Sequence, residues 1–172
     1  IVPGRNFAKC PYVVNTGAND AYIRIRVMIP SAANNDFVAV KDGGVITNQW
    51  CSSSIGTGEF IDGKGGGWNN APAIAKASVT KDGVTYDVYT FTRTEPLKAG
   101  AMTEWNVWNF IGIDKTATSA DIQKAIDEGA IKVVETDGAK TMTLNVLVEA
   151  DAIQAEGFAD AAAAFAAFDA NK

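Results

Sequence analysis

The side chains able to do chemistry are few. Histidine is absent from all 172 residues, so the chain cannot build a Ser-His-Asp triad, a Cys-His pair or an HExxH zinc helix. Cys10 and Cys51 stand far apart and match no zinc pattern, because metal-binding cysteines usually come as CxxC pairs. They read as two buried thiols or, in an exported chain, as a disulfide. Such a bond would close a loop of about 40 residues and stabilise the fold by roughly 4 kcal/mol in the chain-entropy model. The carboxylates are scattered. Asp62, Asp82, Asp87, Asp114 and Asp137 mostly lie beside Gly or in turns, where Asp bonds its own backbone, and no DxDxDG spacing makes a calcium loop. "GKGGG" lacks the GxxxxGK[ST] of a phosphate loop, and "SSSIGTG" is not a GxSxG elbow. Trp50, Trp68, Trp105 and Trp108 could stack on sugar rings, although burial is the commoner fate of aromatics. These residues assemble no active centre. The sequence reads as a non-enzyme, with no cofactor and no set of metal ligands assigned in it.

Composition narrows the classes further. The chain is 47% hydrophobic and 20% charged, a globular balance that fits a single domain over 1–172. A net charge of −5 with a pI near 4.7 argues against nucleic acid, which requires a basic face. No apolar run reaches the roughly 18 residues of a membrane span. The start on Ile1, without a Met or a charged leader, suggests a processed or trimmed chain.

The elements that would position these side chains are mainly strands. In "AYIRIRVMI", Ala21, Ile23, Ile25, Val27 and Ile29 share one face and Tyr22, Arg24, Arg26 and Met28 the other. That pattern predicts a half-buried antiparallel strand stopped by Pro30. "CPYVVNTGAND" reads as a strand entering an Asn-Thr-Gly turn. "FVAVKDGGVI" and "ASVTKDGVTYDVYTFTRT" each carry an Asp-Gly hairpin signal between apolar runs. "TMTLNVLVEADAIQ" predicts one further strand with Met142, Leu144, Val146 and Val148 on one side. Between the hairpins, "WCSSSIGTGEFIDGKGGGWNNAPAIA" is a long Gly- and Ser-rich loop.

Two helices interrupt the strands. "TSADIQKAIDEGA" has Ser119 as N-cap, Ile122 and Ile126 four apart, and Gly129 as a stop. Near the end, Phe158, Ala161, Ala162, Phe165 and Phe168 form a narrow apolar stripe over about 159–168, a helix to be packed on its own sandwich. Together these elements predict an all-β chain with minor helices, an antiparallel jelly-roll β-sandwich carrying two short helices.

Three stretches resemble a known family. "VPGRNFAKCPYVVNTGANDAYIRIRV" is similar to the segment after the leading strand in TasA and camelysin-like proteins. The matching positions are Pro3, Gly4, Lys9, Pro11, Val13, Asn15-Thr16-Gly17, Asp20, Ala21, Tyr22, Arg24 and Val27. "RTEPLKAG" looks like the family's second landmark, on Pro96, Leu97 and Gly100. "ADAIQAEGFADAAAAFAAF" looks like its closing strand and helix, on Ala152, Ile153, Gln154, Ala155, Gly157 and Phe158.

The resemblance implies a secreted structural subunit, exported through a dedicated signal peptidase, that polymerises into extracellular surface or biofilm-matrix filaments by β-strand donation. Its partners would be copies of itself, with other matrix proteins or polysaccharide beside them. Two departures stand out. Relatives carry a further strand ahead of the Pro-Gly landmark, and camelysin is described as a metalloprotease, an activity that a chain without His does not take over. In an exported chain Cys10 and Cys51 would be oxidised, most simply to each other. Residues 1–12 are expected to act as a donated or edge strand, with Ile1, Val2, Phe7, Tyr12 and Val13 as its apolar contacts. Pro3 and Pro11 lack the N–H that a central ladder strand donates. A cell-surface carbohydrate-binding module, with exposed Trp in the long loop, is the alternative reading.

Overall fold

A computed structural model describes residues 6–8, 12–31, 68–69, 76–103, 110–112 and 117–172. The Asp-Gly-Gly hairpin expected at 37–46 and most of the long loop lie outside these residues. In chain order the strands are β1 (Asn6–Ala8), β2 (Ala21–Pro30), β3 (Trp68–Asn69), β4 (Lys76–Lys81), β5 (Val84–Arg93), β6 (Phe110–Gly112), β7 (Ile131–Thr136), β8 (Ala139–Leu144) and β9 (Leu147–Gln154). Helix α1 (Ser119–Asp127) precedes β7, and α2 (Ala161–Ala170) follows β9. The described chain is thus mainly antiparallel β with two short helices, as the alternation predicted.

The central sheet runs β3-β5-β2-β9, with β4 also along β5. Lys81 and Val84 close the β4–β5 hairpin, and Asp82 and Gly83 both take positive φ, 51° and 79°. That geometry is what a two-residue primed turn demands, and Asp-Gly supplies it at low cost. Two smaller antiparallel ribbons, β1–β6 and β7–β8, complete the strands.

Strand β2 differs from expectation. Its alternation predicts one wet face, yet Tyr22, Arg24 and Met28 are buried as well as Ile23, Ile25 and Val27. Both faces of β2 are covered. On one, Ile23, Ile25, Val27, Ile29, Tyr89 and Phe91 form the main core with Leu97, Ala125, Ala130 and Ile131. On the other, α2 sets Ala161, Ala164 and Phe165 over Tyr22, and Met28, Tyr86 and Val88 form a separate apolar patch. Burial contributes about 1.5–3 kcal/mol per large apolar side chain, so the doubly covered β2 anchors the domain.

Two boundaries and one helix face are also corrected. The strand expected across "TMTLNVLVEADAIQ" is two, β8 and β9, because Asn145 turns inward between them. Its N–H donates to Ala130 O at 3.1 Å, and its Nδ2 donates to the Tyr86 hydroxyl at 2.7 Å. The N-cap of α1 is Thr118 rather than Ser119. The Thr118 hydroxyl accepts from Asp121 N–H while Asp121 Oδ2 accepts from Thr118 N–H at 2.7 Å, a reciprocal capping box. In α2 the inward Ala is Ala164, and Ala162 is exposed.

Candidate assembly site

Asn15 ties the first two landmark stretches together. It is buried, and its Nδ2 donates to Leu97 O and to Asn19 O, each at 2.9 Å. Its Oδ1 accepts from Gly17 N–H at 3.0 Å, and its main chain pairs with Gly100 and Ala101. Ala21 and Leu97 exchange both backbone hydrogen bonds, Asp20 Oδ1 accepts from Ala99 N–H at 3.0 Å, and Asp20 O accepts from Ala155 N–H at 2.9 Å. The stretches around 13–27, 93–100 and 152–158, far apart in the chain, therefore meet at one corner of the sheet. The Asn-Thr-Gly turn was visible in the sequence. That its amide bridges some 80 residues was not.

That corner fixes where β9 lies. β9 pairs with β2 from Ala21↔Gln154 to Met28↔Leu147, and no described strand lies along its other side. The residues of β9 level with the core are exposed although their β2 partners are buried. Val148 is 39% exposed opposite Val27 at 0%, and Ala150 and Ala152 are exposed beside Ile25 and Ile23. An apolar rim of the main core is thus uncovered along an eight-residue strand, which among the described residues is the arrangement an added strand completes.

The opposite face of the same strands carries a ladder of charge. Arg24 is buried, and its Nε and Nη2 donate to Asp151 Oδ2 at 3.0 and 2.8 Å. Its Nη1 and Nη2 also grip the two oxygens of Asp169 at 2.7 and 2.8 Å. The guanidinium lies 4.5 Å from the Phe165 ring centroid and 5.7 Å from that of Phe168. Arg26 reaches Glu149 at 3.2 Å and Asp151 at 3.1 Å, and Lys81 pairs with Glu149. Arg24 holds its proton above the usual guanidinium range, chiefly through its hydrogen bond to Asp169, and Asp169 is held below the usual carboxylate range by Arg24. Each charge is met by an opposite one, so the cluster fastens elements and offers no free acid or base. A signal for it did exist: Arg24 and Arg26 alternate in one strand as Glu149 and Asp151 do in the other, and antiparallel pairing sets such residues opposite each other.

The expected strand residues are distributed unevenly. Phe7 lies in β1 and pairs with Ile111 of the same chain. Tyr12 is 62% exposed. Val13 packs against the main core, and its main chain is bonded to Thr103. Ile1, Val2, Cys10 and Cys51 lie outside the described residues, as do Trp50, Trp105 and Trp108. Among the described residues no group of three or more His, Cys, Asp or Glu is placed to hold a metal ion, and no helix is long and apolar enough to cross a membrane. No protein family, curated protein or solved structure matches this chain.

Proposed function

We propose that the chain is a secreted structural subunit that polymerises into extracellular surface or biofilm-matrix filaments, joined by β-strand donation between jelly-roll subunits. The observation that carries this reading is the β9 edge with its uncovered apolar rim. An extended segment placed there gains ladder hydrogen bonds and covers Val148, Ala150 and Ala152 in one step. The donor is the N-terminal stretch Ile1–Tyr12 of a neighbouring copy. Within its own chain the described pairing of that stretch is the three-residue register of β1 with β6, so donation exchanges a short ladder for a longer one. The partners are copies of the chain itself, with matrix proteins or polysaccharide beside them. The work is mechanical rather than enzymatic.

The test is a charge on the rim. Val148→Lys places an ammonium on the exposed edge, the device that natural edge strands use to refuse partners. The variant should unfold within about 0.5 kcal/mol of wild type yet form no filaments by negative-stain electron microscopy. Filaments of normal length from this variant would remove β9 as the acceptor.

A further inference from the structure

Helix α2 and α1 are held in different ways. α1 is capped by a reciprocal box and runs straight into β7 through Gly129, whose φ is +75° and where an added Cβ would sit 3.3 Å from Val84. Its inward side chains, Ile122, Ala125 and Ile126, belong to the main core. α2 buries only Ala161, Ala164 and Phe165. Between its first turn and β5 lies a cleft of about 350 Å³ lined by Arg24, Thr90, Thr92, Thr94, Ala161 and Phe165, among others. Close-packed helices leave no such gap, so α2 rests on the sheet along one side only.

What fastens its far end is electrostatic. Asp169 sits in the last turn, where a negative charge opposes the helix dipole, and the helix has no basic residue in that turn. Arg24 of β2 supplies the missing cation with a two-point grip. Should α2 leave, Arg24 keeps Asp151 as a full counter-charge at 2.8 Å, so the buried guanidinium is not stranded. The link from β9 to α2 turns at Gly157, whose φ is +91° and beside which nothing lies within 4 Å of an added Cβ. Its backbone conformation favours glycine and its Cβ side is open, the properties a hinge residue needs.

We propose that α2 is a lid latched by the Arg24–Asp169 pair, able to swing about Gly157 as a unit while the sheet stays folded. Opening it uncovers Tyr22 and Ile153 and joins them to the cleft beside Thr90 and Thr92 as one face. This device is independent of strand donation, since it uses the opposite face of β2 and β9.

Peptide-resolved hydrogen exchange on the full chain at neutral pH tests it, with wild type, Asp169→Asn and Asp169→Glu each measured at low and at about 1 M salt. The latch predicts that Asp169→Asn speeds exchange across Ala161–Ala170 by roughly three- to tenfold, with the rates of β2, β5 and β9 unchanged. Salt should do the same to wild type, do little to the Asn variant, and leave the Glu variant closer to wild type than to Asn. Equal α2 rates in wild type and Asp169→Asn would overturn the proposal. So would a loss of α2 protection that always accompanies loss in the strands, because α2 would then open only with the whole domain. If Asp169→Asn fails to fold, the salt arm on wild type decides alone.

Discussion

Asn15 and Arg24 show how a single polar side chain can be worth more inside than outside. Asn15 uses both ends of its amide, and only an amide donates two bonds and accepts a third in that space. Asn15→Ala should destabilise by about 2–3 kcal/mol, since buried carbonyls lose their donor. The urea midpoint should fall with the slope of the transition unchanged. Asn15→Asp should not rescue it, because an ionised carboxylate cannot donate to Leu97 O or Asn19 O. Arg24 belongs to the same class with higher stakes. Its side chain is 10% exposed beside an Asp151 that is 11% exposed. Arg24→Ala should cost about 3 kcal/mol by leaving that carboxylate short of its main cation, and Arg24→Lys should recover only part, as a point charge cannot make the four bonds of the fork. Neither residue announced its partners. The turn at Asn15 and the basic alternation at Arg24 could be read locally, but the carbonyl of Leu97 and the carboxylate of Asp169 are set by pairing over long chain distances.

At the scale of elements, period and punctuation carried most of the information. β2, the β4–β5 hairpin and both helices stand where alternation, Asp-Gly and capping residues put them, to within two residues. The β7–β8 ribbon carries the same Asp-Gly signal at Asp137 and Gly138, with φ of 52° and 77°. The alternation of Met142 and Leu144 marked β8, but β7 was hidden because it buries no residue beyond Ile131. The break at Asn145 was hidden because its partners, Ala130 and Tyr86, are tertiary.

The docking of α2 has a pH dependence with a defined sign. Asp169 is held below its ordinary value of 3.8 by Arg24 above all, and more weakly by the charges of Lys172 and Arg26. Glu149 and Asp151 on β9 face the same cations. A depressed folded value means that the contribution of Asp169 is complete above about 3.8 and is lost as pH falls through the lower folded value. The amide and methyl signals of Ala161–Ala170 should therefore shift toward a free helix in acid, before those of β2, and Asp169→Asn should abolish that shift. Signals that hold steady until the sheet itself unfolds would contradict this.

For the whole molecule, the sheet presents two unlike faces to its surroundings. One end of β9 is locked by the corner at Asp20 and Ala155, and among the described residues no strand lies along its outer side. Composition and alternation made the all-β class legible. The open edge was not, because a strand at the rim and a strand in the middle share the same alternation and differ only in what pairs with them. The proposed role follows from that edge together with an N-terminal stretch whose apolar residues and two prolines suit insertion better than a central position. The most direct test is to remove residues 1–8 and examine the purified protein by negative-stain electron microscopy beside the intact chain. Strand donation predicts filaments from the intact chain, and a folded protein that remains monomeric after the deletion. Normal filaments from the shortened chain, or none from the intact one, would contradict it.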